Sequence, residues 1–358
     1  MTLKFGVIGT GAMGREHIKR ITERLSGGEV TAVTDIYEGA INKTLELGKQ
    51  IGIAPKVYKT GEDLIASSDV DAIIITNLGS VHEQYNLAGI AAGKYVFSEK
   101  PLADTAAGCK RIVDAETKAG KHLLQVGFMR RFDAGYRQLK ESIDSGEIGQ
   151  PLIVHCAHRN PDVDEHYTTS MAITDTLIHE IDVLHWLIND DYKSVRVTFP
   201  KQSSYARKDL RDPQLVTITT KKGIVIDAGT FVTCQYGYDI RCNVVGEKGV
   251  IGLPEVPAIQ KRINAKLSYE ILTSWADRFT TAYDAELQNF IDSIAAGGAP
   301  QGPTAWDGYI AAVTADACVK AQTSGKEESI AIPERPEFYD KYSMGWRDRS
   351  HNTAAGAK

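Results

Sequence analysis

Short apolar runs recur along the first third of the chain, at residues 5–8, 30–34, 56–58, 72–76, 95–98 and 123–126. Each suits a buried strand and is too short for a helix. Between them lie longer amphipathic stretches, of which 15–25 is the first. Strands alternating with helices predict a parallel, doubly wound sheet, an α/β domain.

After Gly127 the rhythm changes. A helix is predicted at 133–145, a strand at 152–157 and an apolar helix at 174–189, and strands dominate 194–253. Lys221-Lys222-Gly223 and Glu247-Lys248-Gly249 read as hairpin turns. Helices resume at 282–295 and 305–321, so the second domain is expected to be α+β with a largely antiparallel open sheet. The chain divides on this reading into 1–126, 127–342 and a polar tail, 343–358, that frays. A sheet covered on one face leaves the other to solvent or to a second subunit.

The link between the first strand and its helix carries the first chemistry. Gly9, Gly11 and Gly14 occupy it in a GxGxxG spacing. The first glycine permits a tight turn, the second lets the backbone approach a pyrophosphate, and the third lets helix and strand pack closely. The N–H groups of the first helical turn, with Ala12 and Met13, then face the phosphates. The second strand ends at Asp35, 21 residues after Gly14, where a carboxylate meets the adenosine ribose hydroxyls and repels a 2′-phosphate. The expected cofactor is therefore NAD rather than NADP. Ligands of such sheets lie at the carboxyl ends of the strands, which adds Thr76, Asn77, His82, Glu99 and Lys100 to the candidate cofactor site.

Composition narrows the partners. The 358 residues are 42% hydrophobic and 24% charged, with a formal net charge of −5, which gives no broad attraction to nucleic acid or anionic membranes. Met1 runs directly into a predicted strand, and no apolar run is long enough to span a bilayer, so the cytoplasm is the expected compartment. Cys109, Cys156, Cys234, Cys242 and Cys318 are odd in number and lack CxxC spacing, which predicts reduced core thiols and no structural metal.

Two further groups could do chemistry. Lys100 leaves the strand 95–98 at the mouth of the crevice, where a lysine beside a cationic nicotinamide and away from water loses proton affinity; alternatively it is a lysine reaching solvent. Asp175 and His179 stand four residues apart on a helix that is otherwise apolar, and Asp182 continues their stripe. They form either an acid/base device or a structural pair. A zinc-hydrolase HExxH is excluded, because Val183 stands where the second histidine belongs. Tyr136 and Lys140 have YxxxK spacing but lack the matching glycine pattern, and neither a GxSxG elbow nor a P-loop is present.

With the glycine turn, Asp35, the Glu99-Lys100-Pro101 tripeptide and the Asp175/His179 helix together, the chain resembles the Gfo/Idh/MocA oxidoreductase family over almost its whole length. The runs VGFMRRFD, HCAHRNP, ITDTLIHEIDVLHWL, QYGYDI and GPTAWDGYIAAVTADACVKA resemble those of members that oxidise the axial hydroxyl of myo-inositol with NAD. The resemblance implies an N-terminal Rossmann domain, a homotetramer, and a catalytic set of Lys100, Asp175 and His179. In that set His179 takes the hydroxyl proton, Asp175 orients His179, and Lys100 holds the reacting oxygen. Arg130, His158, Asn160, Thr176, Asp182, Tyr238 and Tyr283 become candidate contacts to the ring hydroxyls, since a neutral polyol is held by many directional hydrogen bonds. The loop Thr76-Asn77-Leu78 departs from the wider family in lacking a proline, which leaves its contact with the nicotinamide ribose open. Other cyclitols or pyranoses are the alternative substrates, and a nucleotide-sensing regulator without turnover is the non-enzymatic alternative.

Overall fold

The computed structural model describes residues 2–255 and 259–342, and the tail expected at 343–358 lies outside the described residues. The apolar runs become strands and the stretches between them helices: β1 (Leu3–Ile8), α1 (Ala12–Glu23), β2 (Gly28–Thr34), α2 (Glu38–Ile51), β3 (Lys56–Val57), α3 (Gly61–Ala66), β4 (Ala72–Ile75), α4 (His82–Ala91), β5 (Tyr95–Glu99), α5 (Ala106–Ala119) and β6 (Leu124–Gly127). The six strands are parallel, in the order β3-β2-β1-β4-β5-β6. Ile73, Ile74 and Ile75 are all fully buried, so β4 is covered on both faces, as continuous apolar runs require. The strand order reverses between β1 and β4, which opens a crevice at their carboxyl ends between the glycine turn and Thr76.

The second sheet is built differently. After α6 (Ala134–Ser145), β7 (Pro151–Arg159), a π-helical turn (Ala172–Leu177) and α7 (Ile178–Ile188) come β8 (Tyr192–Thr198), β9 (Gln214–Thr220), β10 (Val225–Phe231), β11 (Asp239–Gly246) and β12 (Val250–Gly252). Further on lie β13 (Lys261–Ile263), β14 (Lys266–Ser268), α8 (Trp275–Ala295), α9 (Ala305–Ser324) and β15 (Glu328–Ser329). Seven strands run in the order β12-β11-β7-β10-β9-β8-β15, with only β7 and β10 paired in parallel. Both expected hairpins form: β9 turns into β10 across Lys221–Gly223, with Gly223 at φ 90°, and β11 turns into β12. Val154, Val216, Ile226 and Val244 are fully buried on one face, whereas Ile153, Leu215 and Val225 on the alternate positions are exposed. β13 and β14 pair with each other alone, and every residue in them is exposed. Without a buried face they leave no periodic signal in the sequence.

One helix crosses from the second half of the chain to the first sheet. Leu287, Phe290, Ile291 and Ile294 of α8 pack in one buried cluster with Phe5, Val7, Ile74 and Phe97. Each such side chain contributes roughly 1.5–3 kcal/mol of burial, and Arg20 of α1 adds an ion pair to Asp284 at 2.7 Å. α8 begins earlier than expected because Ser274 caps it, its side chain accepting from Ala276 N.

Candidate active site

The glycine turn has the geometry its spacing predicts. Gly9 sits at φ 92°, open to few residues but glycine, and a Cβ there would come within 2.5 Å of the Asn77 nitrogen. A Cβ on Gly14 would stand 2.1 Å from the Gly9 carbonyl oxygen, so helix and turn touch there. Around Gly11, in contrast, a Cβ would meet nothing within 4 Å. That side leaves the backbone open to a ligand. Gly11 caps α1 without a side-chain hydrogen bond, and no acidic residue stands in the first turn, so the turn's N–H dipoles are left for an anion.

Asp35 ends the second strand beside this turn. Its Oδ2 accepts from Thr10 N at 2.6 Å and its Oδ1 from Tyr37 N at 2.9 Å. Thr76 Oγ1 donates to the Gly9 carbonyl at 2.5 Å, tying the β4 loop to the turn, and Asn77 Oδ1 is buried beside it with no partner. Open backbone at Gly11, a bare helix start, the Asp35 carboxylate and an orphaned acceptor fit a dinucleotide of the NAD type.

Across the crevice Lys100 meets the second domain. Its Nζ lies 2.5 Å from Asp175 Oδ1 and 3.1 Å from the Asp175 carbonyl oxygen. Asp175 belongs to the π-helical turn, where the sequence predicted regular helix; the widened turn leaves a main-chain carbonyl within reach of a side-chain donor. Burial works to raise the Asp175 pKa, but the Lys100 ammonium outweighs it and the net shift is downward. The expected Asp175–His179 pairing is thus replaced by Asp175–Lys100, because the ammonium is the stronger partner for the carboxylate. Asn77, Gly79, Lys100, Asp104, Thr174 and Asp175 line one cleft between the domains.

His179, one turn into the apolar helix, is almost fully buried, and its Nδ1 has no hydrogen-bond partner. Burial first, then the charges of Lys100, Arg130 and His158, drive its pKa well below the ordinary histidine value. The imidazole is therefore neutral near pH 7 and has a nitrogen available to take a proton. The His158 ring lies 6.3 Å from it, centroid to centroid, and 5.7 Å from that of Tyr238. Glu180 Oε2 accepts from His158 Nδ1 at 2.9 Å, which leaves Nε2 as the ring nitrogen that can meet a ligand.

Several expected contacts take other roles. Arg130 is buried behind His158, bonded to Glu180 through Nη1 and with Nη2 3.1 Å from His158 Nδ1, so it holds the Glu180 carboxylate that turns His158 rather than touching a polyol. Asp182 is 2% exposed and holds Arg131 at 2.5 and 2.9 Å; it is a core ion pair, not a hydroxyl contact. His82 is equally buried, its ring nitrogens 2.7 Å from the Pro101 carbonyl and 2.9 Å from that of Asn77, and it ties two loops together instead of facing a cofactor. Glu99 is buried with both oxygens engaged by His17 and by the Lys100 main chain. Thr176 shares a 2.5 Å hydrogen bond with the Tyr167 hydroxyl. Tyr238 and Tyr283 join Met129 and Phe279 in an aromatic cluster against Met13, and the Asn160 side chain stays partly exposed while its main chain bonds Phe231 and Cys234. Glu180, which orients both Arg130 and His158, was not singled out by sequence; the apolar helix around it gave no sign of a through-space partner.

The five cysteines are free and buried. Burial raises the Cys109, Cys156, Cys242 and Cys318 thiols, which makes them poor nucleophiles.

A Rossmann sheet whose dinucleotide turn and lysine face a second domain carrying the paired aspartate and a neutral histidine defines a nicotinamide-dependent oxidoreductase. Residues 3–128 match the NAD-binding Rossmann fold of the GFO_IDH_MocA oxidoreductase family, and residues 140–332 match that family's C-terminal alpha/beta domain. The chain belongs to the Gfo/Idh/MocA family. It is similar to an inositol 2-dehydrogenase of Serratia proteamaculans, 58% identical over 341 residues, covering 95% of this chain and 100% of that one. It is also similar to an inositol 2-dehydrogenase/D-chiro-inositol 3-dehydrogenase of Halalkalibacterium halodurans, 56% identical, covering 95% of this chain and 97% of the relative. Among solved structures, the myo-inositol dehydrogenase of Lactobacillus casei in complex with NAD(H) and myo-inositol superposes with a TM-score of 0.92 at 47% identity, covering 95% of this chain and all of that chain.

Proposed function

We propose that the protein oxidises myo-inositol at its axial hydroxyl to 2-keto-myo-inositol with NAD, in the breakdown of that polyol. The observation that carries this reading is the meeting of Lys100, Asp175 and a neutral His179 at the mouth of the dinucleotide crevice. It is supported by near-full-length similarity to proteins named for this activity.

NAD, when bound, supplies the acceptor for the hydride. Gly9, Gly11, Ala12, Met13 and Gly14 would hold its pyrophosphate, Asp35 the adenosine ribose, and Thr76 and Asn77 its nicotinamide end. His179, uncharged, accepts the hydroxyl proton as the C–H bond breaks and its electron pair departs. Lys100 donates a hydrogen bond to the reacting oxygen and steadies the negative charge that builds on it. Asp175 keeps the ammonium aimed at the cleft. His158, turned by Glu180, together with Asn160 and Tyr238, offers hydrogen bonds to the other hydroxyls, and Tyr283 closes the site toward the glycine turn.

The reading extends to a cytoplasmic homotetramer joined through the exposed face of the second sheet. Among the described residues no helix is long and apolar enough to cross a membrane. Purified protein mixed with NAD or NADP and a panel of inositol isomers and aldopyranoses, followed by cofactor absorbance, tests the function. Reduction of NAD with myo-inositol ahead of the rest of the panel is expected, and inertness toward every polyol overturns the reading.

A further inference from the structure

Behind Lys100 runs a line of buried polar groups that the chemistry above does not use. Glu99, the last residue of β5, is 6% exposed. Its Oε2 accepts from the Lys100 main-chain nitrogen at 3.2 Å, and its Oε1 lies 2.8 Å from His17 Nε2. His17 is on α1 and wholly buried; its Nδ1 stands 3.0 Å from Arg20 Nη1. Arg20 Nε in turn donates to Asp284 Oδ1 of α8 at 2.7 Å. Space for the Glu99 carboxyl comes from Gly127 of β6, where a Cβ would stand only 3.1–3.2 Å from its atoms.

The bond directions are fixed by the chemistry of the members. Arginine donates and never accepts, so His17 Nδ1 offers its lone pair and the ring proton sits on Nε2. Glu99 therefore receives one N–H at each oxygen, from His17 and from Lys100. Burying a carboxylate, an imidazole and a guanidinium together is costly unless each is satisfied, and here each is.

We propose that Glu99 is a positioning residue for Lys100, itself oriented by His17 and Arg20. The relay fastens the Lys100 main chain to the helix whose start faces the cofactor and, through Asp284, to α8. Lys100 Nζ is thereby presented to Asp175 across the cleft. The inference rests on the role given to Lys100 in the proposed reaction.

Replacing Glu99 by its isostere glutamine separates shape from chemistry. The amide has one accepting oxygen for two donors, and His17 cannot reverse its proton without turning an N–H toward Arg20. Glu99→Gln thus keeps the volume and forces a donor against a donor. His17→Gln does the opposite, since its amide can donate to Glu99 and accept from Arg20, whereas His17→Leu can do neither.

The full-length wild type and these three variants are compared by steady-state kinetics with myo-inositol and by hydrogen–deuterium exchange around residues 98–102, with residues 28–34 as the control strand. Glu99→Gln and His17→Leu should lower kcat about tenfold or more, the factor carried by one charge-assisted hydrogen bond, with KM for NAD changed less than about threefold. Both should speed exchange at 98–102 and not at 28–34. His17→Gln should keep wild-type exchange and hold kcat within about threefold of wild type. Wild-type kcat and exchange in Glu99→Gln overturn the relay, as does a His17→Gln protein as defective as His17→Leu. If His17→Leu does not fold, Glu99→Gln against His17→Gln decides. Should the wild type oxidise no polyol, the proposed function falls, and the exchange rates still decide the relay.

Discussion

His179 illustrates how far one side chain can be read from its neighbours. A mostly apolar helix that carries Asp175, His179, Glu180 and Asp182 within eight residues marks a histidine with work to do, and the spacing is local enough to see in the sequence. What spacing could not give is the partner, because Lys100 reaches Asp175 across 75 residues and Arg130 reaches Glu180 across 50. The downward shift of the His179 pKa changes one expectation. With an ordinary histidine, oxidation would rise through neutrality; here the base form already prevails at pH 7, so the rising limb assigned to His179 should lie below about pH 6.5. A pH profile of kcat checks this, and a limb centred above neutrality would contradict it. His179→Ala should cut turnover about a hundredfold or more while NAD affinity, measured by fluorescence titration, stays near wild type. Near-normal oxidation would remove His179 as the base. Asp35→Ser should raise NADP use relative to NAD, because the carboxylate that repels a 2′-phosphate is gone; a wild type that already prefers NADP would contradict the assignment.

α1 and its glycine turn show which parts of a fold are written locally. Strand, turn, helix and acid follow one another within 35 residues, and the structure keeps that order. The same locality made the two hairpins legible. It failed for β13 and β14, which bury no face, and for the π-helical turn at Ala172–Leu177, where the Asp175 carbonyl meets Lys100 from 75 residues away. The glycines also separate cleanly into two kinds. Gly14→Ala places a Cβ against the Gly9 carbonyl and should destabilise the turn itself, lowering the melting temperature. Gly11→Ala meets open space and should melt like wild type while binding NAD more weakly, since its methyl projects where the backbone would approach the phosphates. Calorimetry beside cofactor titration tells the two apart; equal melting losses in both variants would refute the distinction.

The seven-stranded sheet leaves Ile153, Leu215 and Val225 exposed on the face opposite α7 and α9, and a second copy of the chain is the occupant proposed for it. Light scattering should give the mass of four chains at working concentration. A charged substitution such as Leu215→Glu should lower that mass by breaking the apolar contact, and a wild type that is already monomeric would sink the proposal. The path of the chain could not be foreseen at this level, because nothing in the periodicity of 282–295 says which of two sheets the helix will cover. Its return to the first sheet bears on how the protein is made. All six strands of that sheet are complete by Gly127, yet the cluster around Phe5 and Phe97 lacks Leu287, Phe290, Ile291 and Ile294 until they have left the ribosome. The nucleotide-binding half therefore matures late in synthesis, although it is encoded first. A gene fragment ending near residue 128 carries every glycine of the turn but not the helix that seals the sheet, and so is no portable cofactor module for grafting onto another protein.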